Sequence, residues 1–356
     1  MRRSLDLSRR SLLAAGAALV GLPSAAEAQQ GQVVFSSWGG AFQDALRQAM
    51  LAPSAQALGL TVREDTTNGI QDVRAQITAR RVTWDVTEQE LPTAETLKRE
   101  NSLEPLDYSV INTDGLPREL VNSHYVGFIN FTRVIAWQRS TYGNNGPQTW
   151  ADFWDVRRFP GKRSLYNRVN YNLEAATMSL GVPINEVYRV LGTREGMERA
   201  WARLAEIAPH VTVWYRGGSQ AAQLLRDGEV DIIHMGHNRV VSVIASGRQV
   251  GWRFDGGTMD IDALMVPRGA PNRANAMRLI NEMLKPDAQA RLAKAMPLGP
   301  VNANAFRAGI LTEEEALQIN THPANIDKQL LIDPNFYIGR LDQLTERFDR
   351  VMQARR

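Results

Sequence analysis

Asp260 and Asp262 stand two residues apart in Met259-Asp260-Ile261-Asp262-Ala263-Leu264, a stretch otherwise apolar enough for a strand. Strand alternation puts both carboxylates on one face. Like charges so placed repel each other unless a cation neutralises them. A bound cation would serve, and so would a salt bridge with an arginine such as Arg253. A second chemical feature is Ser36-Ser37-Trp38-Gly39-Gly40. Its indole could take a cation on its face for roughly 0.5–2 kcal/mol, and its glycines let the backbone approach a guest. Ser37, Trp38 and Gly39 are therefore binding candidates, against the plainer reading of Trp38 as a cover over the core. Glu88 and Glu90 follow a short strand, so at least one faces what lies beyond it, although a solvated loop acid explains either taken alone. Ser219 and Gln220, in Arg216-Gly217-Gly218-Ser219-Gln220, stand where helix-start amides could meet an anion or where glycines simply make a turn.

The elements that must position these groups read as alternating strand and helix. Val33–Phe35 is a short apolar run, broken at Ser36–Gly40, after which Phe42, Leu46, Ala49 and Met50 recur at helical spacing. Leu60–Glu64 and Thr83–Thr87 read as strands, with helices marked by Ile70, Val73 and Ile77 and by Pro92–Glu100. This is a βαβ pattern with a largely parallel sheet, and ligands of such sheets sit beyond the strands' carboxyl ends. Tyr125–Trp137 is a long strand able to pass from one lobe into another. Further strands are expected at Arg163–Tyr166, Val211–Tyr215, Val230–His234, Gly251–Phe254 and Ile261–Val266. Helices are expected at Leu173–Leu180, Arg194–Ile207, Pro271–Leu284, Pro286–Ala295 and near Leu341–Met352.

At 356 residues the chain fits two domains, with 44% hydrophobic and 22% charged residues, as in soluble globular proteins. It has no cysteine, which excludes disulfides, thiolate metal sites and cysteine nucleophiles. Residues 1–28 read as a bacterial export leader: Arg9-Arg10 precede the apolar run Leu12–Leu22, and Ala26-Glu27-Ala28 supplies a small-x-small cleavage signal. The twin arginine points to export of the folded protein. The apolar run is too short to span a bilayer, so a mature chain free in the periplasm is expected. Removing the leader takes away four arginines and two acids and leaves a net charge of about +1. With no basic stripe, no nucleic-acid partner is expected.

Five segments carry a resemblance: SSWGGAFQDA near the mature start, TWADFWDVRRFPGKR at 149–163, LLRDGEVDI at 224–232, ALMVPRGAPN at 263–272 and GPVNANA at 299–305. In that order they resemble the solute-binding proteins of bacterial ABC importers, in the branch of the spermidine and putrescine binders. The resemblance implies an α/β, two-lobe periplasmic-binding-protein fold (type II, venus-flytrap) with crossing hinge strands. Lobe one would hold 29–132 and about 245–298, lobe two 133–244 and about 299–356. It implies a monomer that takes up a small-molecule solute and hands it to an inner-membrane ABC permease. No cofactor, no metal and no membrane-spanning segment are expected, and no enzyme activity.

By the same resemblance, Trp38 matches a first-loop aromatic and Glu90 lies on the loop lining the cleft. Glu174 matches an acid at the start of a second-lobe helix, with Tyr171 a turn earlier. Asp262 matches a return-strand aspartate that receives an amine, and Asp260 occupies a place often filled by an aromatic. A polyamine-like amine is therefore the expected solute. In Met235-Gly236-His237-Asn238-Arg239 the chain departs from the polyamine binders, which place a tryptophan and an aspartate where Gly236 and Arg239 stand. His237 and Arg239 remain binding candidates, and an arginine fork suits a carboxylate or phosphate. Either Arg239 pairs Asp260 or Glu90, or the solute is a zwitterionic, amino-acid-like amine. Two further alternatives are a metal held by His234 and His237, whose spacing on a strand sets them on opposite faces, and hydrolysis by Ser219 with either histidine. The chain has no nucleophile elbow, phosphate loop or His-Glu-x-x-His helix to strengthen an enzyme reading.

Overall fold

Val33 and Phe35 are fully buried on β1 (Gln32–Ser37), which pairs in parallel with β2 (Thr61–Thr66) and β3 (Val86–Glu90). The coordinates are a computed structural model that describes residues 31–353, so the expected leader lies outside the described residues. Helical segments Gly40–Leu46, Arg47–Leu51 and Ala52–Leu58 run consecutively between β1 and β2, the middle one with a wider π turn. β3 begins three residues later than the apolar run suggests. Trp84 is drawn off to donate its ring N–H to Asp65 at 2.7 Å, and the Asp85 carboxylate accepts from Val34 N–H at 2.8 Å and Asn272 N–H at 2.7 Å. Glu88 and Glu90 thereby fall within the strand rather than after it.

Two long antiparallel strands, β4 (Tyr125–Gln138) and β8 (Val250–Met265), run through both halves of the molecule. On the far side β4 pairs with β7 (Ile232–Gly236), which pairs with β5 (Arg163–Tyr166), and that with β6 (Val211–Tyr215). The sheet order is β2-β1-β3-β8-β4-β7-β5-β6. Gly299–Pro300 adds to β4 and Leu330–Leu331 to β8.

The apolar side chains condense into two separate cores. One gathers Val33, Phe35, Leu46, Phe128, Ile129, Ile261, Leu264 and Ile280. The other gathers Val134, Trp137, Phe153, Leu165, Tyr215, Ile233, Phe254 and Phe348. The expected two-lobe architecture is thus present, with β4 and β8 passing from one core to the other. Pairing between them is irregular at the crossing, shifting between Gly127 and Ile129 and between Arg133 and Ile135. At the second shift Phe254–Gly257 of β8 bulge out opposite Val134 alone. Gly256 has φ +73°, a left-handed conformation that glycine adopts without strain. The sequence therefore reads as two strands where the chain makes one bent strand. Near the carboxyl end, Leu330 and Phe348 join the second core, and Phe348 packs edge-on against Trp214 at 5.6 Å.

Trp137 of β4 lies flat over its β8 partner Gly251, where a Cβ would come 2.2 Å from the indole. Gly251→Ala is therefore expected to destabilise the protein by about 1–3 kcal/mol through overpacking. Urea unfolding of the two proteins measures this, and equal midpoints would show that the indole has room to move.

Candidate functional site

The carboxyl ends of β1, β2 and β3 in one lobe, and of β5, β6 and β7 in the other, open on a single cavity of about 530 Å³. The first lobe contributes Trp38, Gly39, Thr67, Glu90, Asp262 and Leu298, and the second contributes Tyr166, Arg168, Arg216, Ser219, Asn238 and Arg239. Ile129, Phe131 and Arg133 of the crossing strand β4 form its floor.

Antiparallel pairing sets Glu90 directly opposite Asp262 and Asp262 opposite Ile129. Glu88, two residues back on β3, shares the face. Trp38 donates its ring N–H to Asp262 Oδ2 at 2.9 Å, so the indole stands edge-on to the acid at the mouth of the site. Gly39, at φ +69°, makes the turn that brings the indole there, and a Cβ on it would lie 3.1 Å from Thr66 Cγ2. Ser37 lies behind and donates to Glu88 Oε2 at 2.7 Å. Glu88 Oε1 and Asp262 Oδ1 have no donor among the described residues. The two acids interact with each other, and burial disfavours a second negative charge. A proton shared between the two would relieve that cost. Burial pushes Glu88 up to about 7 and Asp262 well above the usual carboxylate range.

Asp260, one strand repeat from Asp262, is also buried and accepts from the Tyr171 hydroxyl at 2.8 Å. Arg253 bonds Asp255 at 3.0 Å, so the rim salt bridge with Asp260 is not formed. Tyr171 holds φ +71°, a sparsely populated conformation for a tyrosine, at the start of helix Asn172–Ser179. Its ring is not free for a guest. The Arg133 guanidinium lies 4.6 Å from its centroid and 4.2 Å from that of Tyr166, and donates to the Tyr215 hydroxyl at 3.3 Å.

Among the expected residues, Trp38, Gly39, Glu90, Ser219, Arg239 and Asp262 line the cavity, while Ser37, Asp260 and Tyr171 support it from behind. Glu174 is turned into the second lobe, where Tyr188 and Tyr337 donate to it and burial raises its pKa. Gln220 is outside the lining and accepts from Arg216 N–H at 2.9 Å. His237 packs against Trp252 and Phe254 at 4.3 and 4.8 Å, and burial lowers its pKa to about 4. His234 is buried elsewhere, 3.1 Å from Thr258 Oγ1. Among the described residues no group of three His, Cys, Asp or Glu could hold a metal ion. Arg239 pairs neither Asp260 nor Glu90; Glu90 lies 3.6 Å from Arg168 instead. Sequence reasoning missed Arg133, Tyr166, Arg168 and Phe131. Arg133 left a signal, as the one charge inside an otherwise uncharged strand of 14 residues.

The model for the family described as bacterial extracellular solute-binding protein matches residues 49–319. The gamma-aminobutyric acid-binding protein of Pseudomonas aeruginosa is 32% identical over 331 residues, covering 92% of each chain. The spermidine/putrescine-binding periplasmic protein of Escherichia coli is 22% identical over 325 residues, covering 88% of this chain and 89% of the relative. The crystal structure of the PBP MotA from A. tumefaciens B6 in complex with glucopine superposes with TM-score 0.85 at 37% identity, over 90% of this chain and 99% of that one.

The shared proton makes a pH prediction. Glu88 releases its proton near 4.5 when unfolded and near 7 when folded. The contribution is therefore complete below pH 4.5 and is lost as pH rises to about 7. Relative to Glu88→Gln, the ligand-free protein is expected to lose about 3 kcal/mol of stability over that interval. Denaturant titrations of both proteins from pH 4.5 to 8 check this, and a difference that stays constant with pH would refute the shared proton.

Proposed function

The chain belongs to the bacterial extracellular solute-binding protein family and is the substrate-binding component of an ABC transporter, and from that premise we propose that it captures a small amine-bearing solute whose ammonium docks between Trp38, Asp262 and Glu90. The observation that carries this reading is the Trp38–Asp262 contact at the mouth of a cavity walled by both lobes. An ammonium arriving there takes the place of the shared proton, neutralises the acid pair and lies against the indole. Relatives named for gamma-aminobutyric acid and for spermidine and putrescine have an amine in common. Arg239 and Arg133, both on the cavity wall, favour a solute with an acid group at its other end.

Solute touching both walls draws the lobes together, in proportion to its preference for the closed form. We place the lobe boundaries near residue 132 in β4, near 257 in β8 rather than about 245, because Val250 and Phe254 pack in the second core, and after 301 rather than 298, because Val301 packs in the first. The protein acts by binding rather than turnover, as a monomer, and presents the closed form to an inner-membrane permease for import. Among the described residues no helix is long and apolar enough to cross a membrane. Residues 1–28, with Arg9-Arg10, serve as a twin-arginine leader for export to the periplasm.

A thermal-shift series with putrescine, spermidine and 4-aminobutanoate tests the amine reading. At a hundred times its Kd, a bound amine adds about 2.7 kcal/mol of stability. Asp262→Asn is expected to weaken that amine by about 2–5 kcal/mol, measured by calorimetry. An amine bound equally well by Asp262→Asn would rule out this anchor.

A further inference from the structure

We propose that the solute carries two negative charges besides its amine, because the cavity presents more arginine charge than its own acids neutralise. The inference rests on the amine reading above and adds the charge of the solute's far end. Four arginines line the cavity, Arg133, Arg168, Arg216 and Arg239, against two carboxylates, Glu90 and Asp262. Glu90 is taken up by Arg168. Asp262 shares its burden with Glu88, and the pair faces the indole of the first lobe. Among the described residues Arg133, Arg216 and Arg239 have no carboxylate within salt-bridge distance. Arginine stays charged in proteins, so this excess cannot be relieved by losing a proton. Arg133 and Arg239 are half-buried, and a cation partly withdrawn from water without a counter-charge is costly, which makes the wall a receptor for negative groups.

The cations stand in two places. Arg239 lies over the start of helix Gly218–Arg226, with its Nε 3.2 Å from where a Cβ on Gly218 would be. A Cβ on Gly218 would crowd the guanidinium, and Gly217, Gly218, Ser219, Arg216 and Arg239 all line the cavity there. Arg133 rises from the floor, its flanks covered by Tyr166 and Tyr171 and its Nε without a hydrogen-bond partner among the described residues. The first place suits a carboxylate or phosphonate held by a fork and amides. The second suits another acid lying on the floor. A polyamine would set positive charge against both, and a monocarboxylic amine would leave one of them unanswered.

Calorimetry with putrescine, 4-aminobutanoate, L-glutamate and 3-aminopropylphosphonate at pH 8 tests the charge count. Glutamate is 4-aminobutanoate with one more carboxylate, and the phosphonate replaces its single charge with two. At least one of the two dianionic amines is expected to bind at least about tenfold more tightly than 4-aminobutanoate, as a hydrogen-bonded charge contact would give. Arg239→Gln is expected to reduce that preference at least about tenfold. Arg216→Gln, at the exposed rim, is expected to reduce it in a protein whose fold is not at risk. If 4-aminobutanoate or putrescine binds as tightly as both dianionic amines, the second negative charge is refuted and the amine reading stands. If none of the four binds, the amine reading fails and takes this inference with it.

Discussion

Carboxylates set opposite one another across the β3–β8 pair are the constraint on which the site depends. Like charges facing each other in a sheet repel, and burial makes the repulsion worse. Burial favours the protonated forms of Glu88 and Asp262, and the Ser37 hydroxyl and the Trp38 ring N–H donate to these two acids. None of these partners brings a full positive charge. The first lobe therefore holds a standing deficit of cation at the cavity, and the second lobe a standing deficit of anion at Arg133 and Arg239. A guest that answers both deficits at once has to reach from one lobe to the other. In the proposed function, charge separation between the walls would link solute recognition to lobe closure.

Much of this layout was legible in the sequence. The apolar runs place eight of the ten strands found among the described residues near their true positions, and the Trp38 loop and the Asp262 strand already suggest a cation site. What the sequence concealed has physical causes. β3 is displaced because Asp85 is consumed by backbone amides of its neighbours, a tertiary demand with no local mark. β8 reads as two strands because four of its residues loop out opposite one. Glu174 stands at the right place in sequence for a cleft acid, yet two tyrosines turn it into the core. Tyr171 offers the expected ring, but the chain's own guanidinium occupies it. That last substitution of an internal cation for a guest could not be guessed without knowing that β4 passes beneath the cavity.

The crossing strands have a further meaning. Ile129, Phe131 and Arg133 are at once the cavity floor and the segment between the two irregularities of β4 pairing. Under the proposed lobe closure, the stretch of backbone that would touch a guest is the stretch that would bend. A bound molecule would then bear on the joint itself, and the paired ribbon would join the lobes as a stiff spring does rather than as a loose tether.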